Sequence, residues 1–136
     1  MKKQKALIGL LLLSLCVIAL VFPRTDRFRI SGTAAVLSDA GEPLAKCRLT
    51  VEVWETGSWA DSYRKDFAFS IDGREIEIGP ISISVSEAEH VTLITQSYYD
   101  KDENAVSSCS LVYSAERSCA ELRWNALVYR WEASTL

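Results

Sequence analysis

Histidine is the scarcest chemical tool in this chain of 136 residues, with a single copy at His90. Any Ser-His-Asp or Cys-His mechanism would have to use that residue. No G-x-S-x-G or comparable nucleophile signature accompanies it. His90 also falls out of phase with Val91 and Leu93, which predicts a strand start facing solvent. Hydrolase chemistry is set aside on these grounds, and no catalytic or cofactor-binding residue is assigned. The four cysteines form no C-x-x-C pair, so a zinc site built from three of them and His90 lacks its usual ligand spacing. Neither Asn104 nor Asn125 sits in an N-x-S/T sequon, which excludes N-glycosylation. Helical periodicity is missing as well. Beyond residue 23 no stretch places apolar residues at i, i+3, i+4 and i+7 over three turns, so no long helix is expected there. No internal repeat or low-complexity segment is visible.

The first residues contrast with all this scarcity. Ala6 to Pro23 is an uncharged run of 18 positions between Lys5 and Arg24. As a helix it would measure about 27 Å, against a hydrocarbon core of about 30 Å. The long stems of Lys5 and Arg24 could absorb that deficit. The sequence therefore predicts a basic stub over residues 1–5, a transmembrane anchor over 6–23, a linker over 24–27 and a domain over 28–136. Cleavage after Val17-Ile18-Ala19 would leave Leu20, Val21 and Phe22 as a greasy terminus, and Leu15 is too large for a lipid-attachment site at Cys16. Cleavage and lipidation stay as alternatives. Lys2, Lys3 and Lys5 precede the run while Arg24, Arg27 and Arg29 follow it, a weak vote for a cytoplasmic N-terminus. The expected location is thus a single-pass membrane protein, with its domain periplasmic or extracellular.

Residues 24–136 number 113, enough for one domain with a real core. They carry 12 Lys and Arg against 18 Asp and Glu, a net charge of −6. Such a surface repels phosphate backbones and argues against nucleic acid as a partner. Cys109 and Cys119 bracket "SLVYSAERS", with a turn expected at Ala115–Arg117. A hairpin there would set them opposite one another, within reach of a disulfide. Cys47 is in phase with Leu49, Val51 and Val53 and reads as a buried thiol. One bridge and one buried cysteine fit an oxidising compartment; three unrelated reduced thiols are the alternative.

Alternation of period two runs through the domain. "KCRLTVEVW" turns Lys46, Arg48, Thr50 and Glu52 outward, and "SYRKDFAFSI" aligns Tyr63, Phe67, Phe69 and Ile71. "SDAGEP" and "IDG" are turn chemistry. Near Asn125 the inward phase changes from Leu122 and Trp124 to Leu127, Tyr129 and Trp131, which requires a bulge or a tight turn. About seven or eight strands at this spacing predict an all-β antiparallel sandwich.

Within this pattern, "ISGTAAVLSDAGEPLAKCRLTVEV" resembles the opening strand–turn–strand of transthyretin-like domains, including the carboxypeptidase regulatory-like group. Gly32, Gly41, Pro43 and Leu44 fill that family's places, and "SIDGREIEI" resembles its later Asp-Gly turn. The likeness covers roughly residues 30–85. It departs at Gly79-Pro80-Ile81, where the family has Gly-x-Tyr. The resemblance implies a prealbumin-like Greek-key sandwich and no catalytic residues, since such domains mostly bind, space or stabilise.

Two residue sets could carry a ligand. Asp100, Asp102 and Asn104 occupy the first, third and fifth places of a calcium loop, but Ala105 replaces the sixth-place Gly and Leu111 the twelfth-place Glu. An acidic solvated turn is the plainer reading. Trp54 shares its parity with the outward residues Thr50 and Glu52, and Trp59 lies beside Asp61 in the loop "TGSWAD". Trp54, Trp59 and Asp61 are therefore the expected contact surface, with ordinary packing as the bland alternative. The expected function is a membrane-anchored, non-catalytic module holding a protein partner in the cell envelope; a carbohydrate-binding module is the alternative.

Overall fold

In the computed structural model, residues 2–21, 24–58, 61–116 and 119–132 are described; of residues 18–21, 24, 58 and 61–63 only the backbone course is given. Among the described residues one helix, α1 (Lys2–Val21), precedes nine strands. They are β1 (Arg24–Ser38), β2 (Pro43–Ser58), β3 (Asp61–Ile71), β4 (Arg74–Ile76), β5 (Ser82–Ala88), β6 (Val91–Asp100), β7 (Ala105–Ser114), β8 (Ala120–Trp124) and β9 (Leu127–Trp131). Arg24–Arg27, expected as a linker, are thus the first residues of β1. The chain divides into two compact units. One comprises α1 with the adjoining ends of β1, β2 and β3; the other holds Arg27–Trp54 and the chain from Lys65 onward.

Short turns join most of the strands. Asp72-Gly73, Glu89-His90 and Asn125-Ala126 are two-residue turns with positive φ at both positions, from 47° to 81°. Such turns match the right-handed twist of the strands they join. The third explains the phase change near Asn125: Trp124 pairs with Leu127 across the turn, so no bulge is needed.

All nine strands belong to one antiparallel sheet, in the order β4-β3-β2-β1-β9-β8-β7-β6-β5. The two-sheet Greek-key sandwich expected from the sequence is not formed. The cause is β9, which returns to pair with β1 from Ala34↔Trp131 to Ser38↔Leu127 and welds two meanders into a single sheet.

Topology then forces that sheet to roll. β4 and β5 lie at opposite edges, yet only residues 77–81 connect them. Laid flat, nine strands would separate those edges by about 38 Å at roughly 4.8 Å per spacing. Six Cα steps reach at most about 21 Å. The edges must therefore approach one another, and the inner face closes on itself.

The core confirms the roll. Leu49, Val51 and Val53 of β2 join Ile94 of β6, Leu111 of β7 and Leu122 of β8 in one cluster, all 0% exposed. Strands distant in sheet order touch across it. Phe28 of β1 stacks edge-on against Tyr113 of β7 at 5.3 Å, and Phe69 of β3 against Trp124 of β8 at 5.4 Å. The Trp131 indole N–H donates to the Leu49 carbonyl at 3.1 Å. Each fully buried aliphatic side chain contributes about 1.5–3 kcal/mol to this arrangement.

Two further expectations are corrected. Among the described residues no helix is long and apolar enough to cross a membrane. α1 ends at Val21, so its uncharged stretch Ala6–Val21 rises about 24 Å, short of a roughly 30 Å hydrocarbon layer. The anchor over 6–23, the single-pass topology and the periplasmic or extracellular placement built on it lose their support. Nor do Cys109 and Cys119 form a disulfide; both are thiols. The β7–β8 register sets Tyr113 opposite Ala120, so Cys119 meets Ser114, five residues beyond Cys109. That offset is about 17 Å along the strand, whereas a bridge needs Cα atoms roughly 4.4–6.8 Å apart.

Candidate functional site

The roll leaves an open cleft of about 730 Å³ near β1, β2 and β3. Its residues follow from strand parity. Ile30, Leu49, Val51 and Val53 point into the core, so Arg29 of β1 and Thr50, Glu52 and Trp54 of β2 face the other way and line the cleft. β3 contributes Asp66 to Ser70, and the β4–β5 crossover forms a rim with Glu77, Ile78, Gly79 and Pro80. Gly79 takes φ 60°, a left-handed conformation that suits glycine and redirects the rim ahead of Pro80.

Several polar groups of the cleft are held in place. Thr50 Oγ1 and Ser31 Oγ lie 2.9 Å apart. Asp66 Oδ1 accepts from the Phe67 N–H at 2.8 Å and from Gln96 Nε2. Glu52 sits 3.9 Å from the Arg27 guanidinium, a loose and exposed pair of little energetic weight. Glu52, Asp66, Glu75 and Glu77 outnumber Arg29, so the cleft carries an excess of carboxylates around the half-buried Trp54 ring. Its lining includes neither histidine nor cysteine. It can bury an aromatic contact and fix a ligand by oriented hydrogen bonds.

The residues singled out in the sequence are dispersed. Trp54 lines the cleft; Trp59 lies outside the described residues, and of Asp61 only its place at the start of β3 is described. The supposed "TGSWAD" loop is mostly strand, with β2 running to Ser58 and β3 starting at Asp61. Asp100, Asp102 and Asn104 belong to the β6–β7 turn. There Asp100 Oδ1 accepts from the Asp102 N–H at 3.0 Å, and Asn104 Oδ1 accepts from the Tyr99 hydroxyl. Both oxygens serve the turn itself. No group of three or more His, Cys, Asp or Glu able to hold a metal occurs among the described residues.

Cysteine chemistry lies elsewhere too. Burial pushes the Cys109 thiol up to about 12, which leaves it protonated and inert. Cys47 is half-buried, and its thiol is raised by burial and by the neighbouring Asp72 carboxylate. His90 occupies the β5–β6 turn, where its carbonyl accepts from the Ala115 N–H at 2.7 Å.

Arg29, Asp66 and Glu75 were not singled out in the sequence. The outward parity of Thr50, Glu52 and Trp54 was readable there; the crossover that builds the rim beside them was not. No family model, curated protein or solved structure matches the chain.

Proposed function

We propose that this chain is a non-catalytic binding domain and that it takes a partner protein at the Trp54 cleft. One observation carries the reading: a half-buried tryptophan lines an open cleft of about 730 Å³ whose carboxylate Asp66 is held by two hydrogen bonds. Contact energy concentrates at aromatic anchors seated among ordered polar groups. His90, absent from the lining, has no part in it. A glycan is the second reading, favoured by the Trp54 ring lying in one cleft with Glu52 and Asp66, where a sugar face could stack and its hydroxyls donate.

Selection of phage-displayed peptides on the folded protein tests the first reading. Peptides enriched on the wild type should lose binding to Trp54→Ala by about 1–3 kcal/mol, while that variant still unfolds cooperatively. Equal binding to both proteins refutes the assignment. Titration with soluble oligosaccharides tests the second reading, which requires a change in Trp54 fluorescence.

A further inference from the structure

The two edges of the sheet are built differently. At one end β4 is three residues long, carries Arg74 and Glu75, and gives way to Gly79-Pro80. Short length, charge and nearby proline are the usual defences of an edge strand. At the other end β5 is seven residues long and carries one charge, Glu87, and Pro80 lies outside it. It pairs with β6 over seven continuous positions, from Ser82↔Ser97 to Ala88↔Val91, without a bulge. It has no lysine, arginine or proline, and all seven residues are exposed. β3 reaches this end of the sheet through side chains only, Gln96 Nε2 of β6 donating to the Phe67 carbonyl at 2.7 Å and Lys65 holding Glu87 of β5, while among the described residues β5 forms a ladder with β6 alone.

We propose that β5 is the interface of a two-fold homodimer, pairing antiparallel with β5 of a second copy about an axis at Ser84. The side chains are self-complementary about that position. Ile83 of one copy falls opposite Val85 of the other, twice, and Ser82 opposite Ser86, twice. Ile83 and Val85 are 43% and 40% exposed, and both lie on the face of Ile94 and Gln96, so the pairing extends the apolar layer across the axis. β-Branched pairs and Ser–Ser hydrogen bonds are favourable cross-strand neighbours. A contact with identical patches on both copies closes on itself and stops at two.

Charge permits the same pairing. Ser82 to Ser86 are uncharged, and Glu87, the sole charge of β5, is held by Lys65 of its own chain. Six residue steps separate the two Glu87 side chains across the axis, about 20 Å. Their repulsion is screened at a Debye length of about 8 Å. A one-residue shift to an axis at Val85 would set Ile83 against Glu87 and lose both apolar pairs.

Full-length protein supplies the test. Hydrogen exchange of the amides at residues 82–86 should slow as the protein is concentrated, while exchange elsewhere in the sheet stays unchanged. Ser84→Lys places two ammonium groups directly opposite one another and should abolish the slowing and the dimer mass in sedimentation; Ser84→Glu should do the same. Mixing the two variants should restore both signals through a mixed dimer. Concentration-independent exchange at 82–86 in the wild type overturns the proposal without recourse to a variant. Dimerisation of Ser84→Lys equal to that of the wild type overturns it as well.

Discussion

Gln96 of β6 and Phe67 of β3 are hydrogen-bonded side chain to backbone at 2.7 Å, although five strands stand between β6 and β3 in the order of the sheet. Gln96 is 2% exposed, a buried amide in a largely apolar layer. It also donates to Asp66, so one side chain both closes the roll and orients a carboxylate of the cleft.

Replacing Gln96 with alanine leaves the Phe67 carbonyl without this donor. The expected cost is about 1–3 kcal/mol in urea unfolding, because an orphaned buried acceptor keeps its desolvation penalty. A loss below about 0.5 kcal/mol, the level of an ordinary surface substitution, would mean that Gln96 does not tie the roll.

The Trp131 indole makes the second such bond, to the Leu49 carbonyl on the strand two positions away. Trp131→Phe keeps most of the apolar area and removes the donor. Destabilisation of about 1–3 kcal/mol is expected, again from an unsatisfied acceptor. A neutral result would show that water or a neighbour replaces the indole.

The pH dependence follows from Cys109. Its thiol is pushed by burial from 9.0 up to about 12, so the native state keeps a proton that the unfolded chain releases earlier. Stability contributed this way is complete below about pH 9 and is lost progressively as pH rises towards about 12. Burial raises the Tyr98 and Tyr129 hydroxyls in the same direction. Urea midpoints should therefore fall on the alkaline side, and more shallowly in Cys109→Ala. In the native protein, iodoacetamide should modify the exposed Cys16 and Cys119 and spare Cys109. A midpoint that rises with alkaline pH contradicts the buried-thiol account.

Much of the fold was legible in the sequence because alternation reports burial directly. Leu49, Val51 and Val53 sit at 0% exposure where the pattern placed them, with Phe67 and Phe69 at 3% and 4%. Asp72-Gly73 turned where its chemistry demanded. β6 read in the opposite sense. Val91 and Leu93 suggested an inward odd face, yet Thr92, Ile94, Gln96 and Tyr98 point inward and Val91 is 40% exposed. The polar pair is tolerated because Gln96 finds partners on β3, a contact that no local pattern encodes. The single sheet was hidden for the same reason, since β1 pairs with β9 nearly a hundred residues later. The assumed cysteine bridge failed on register. Of the candidate site, Trp54 was legible through its parity, whereas the rim depends on a crossover between opposite edges.

The most direct test of the binding assignment is the indole region of a ¹H–¹⁵N NMR spectrum, with the Trp54 signal identified by its absence in Trp54→Phe. Peptides selected on the folded protein, and soluble oligosaccharides in parallel, are the probes. Binding at the cleft predicts that the Trp54 indole signal shifts while those of Trp124 and the buried Trp131 hold their positions. A probe that binds the protein and leaves the Trp54 indole unmoved contradicts it.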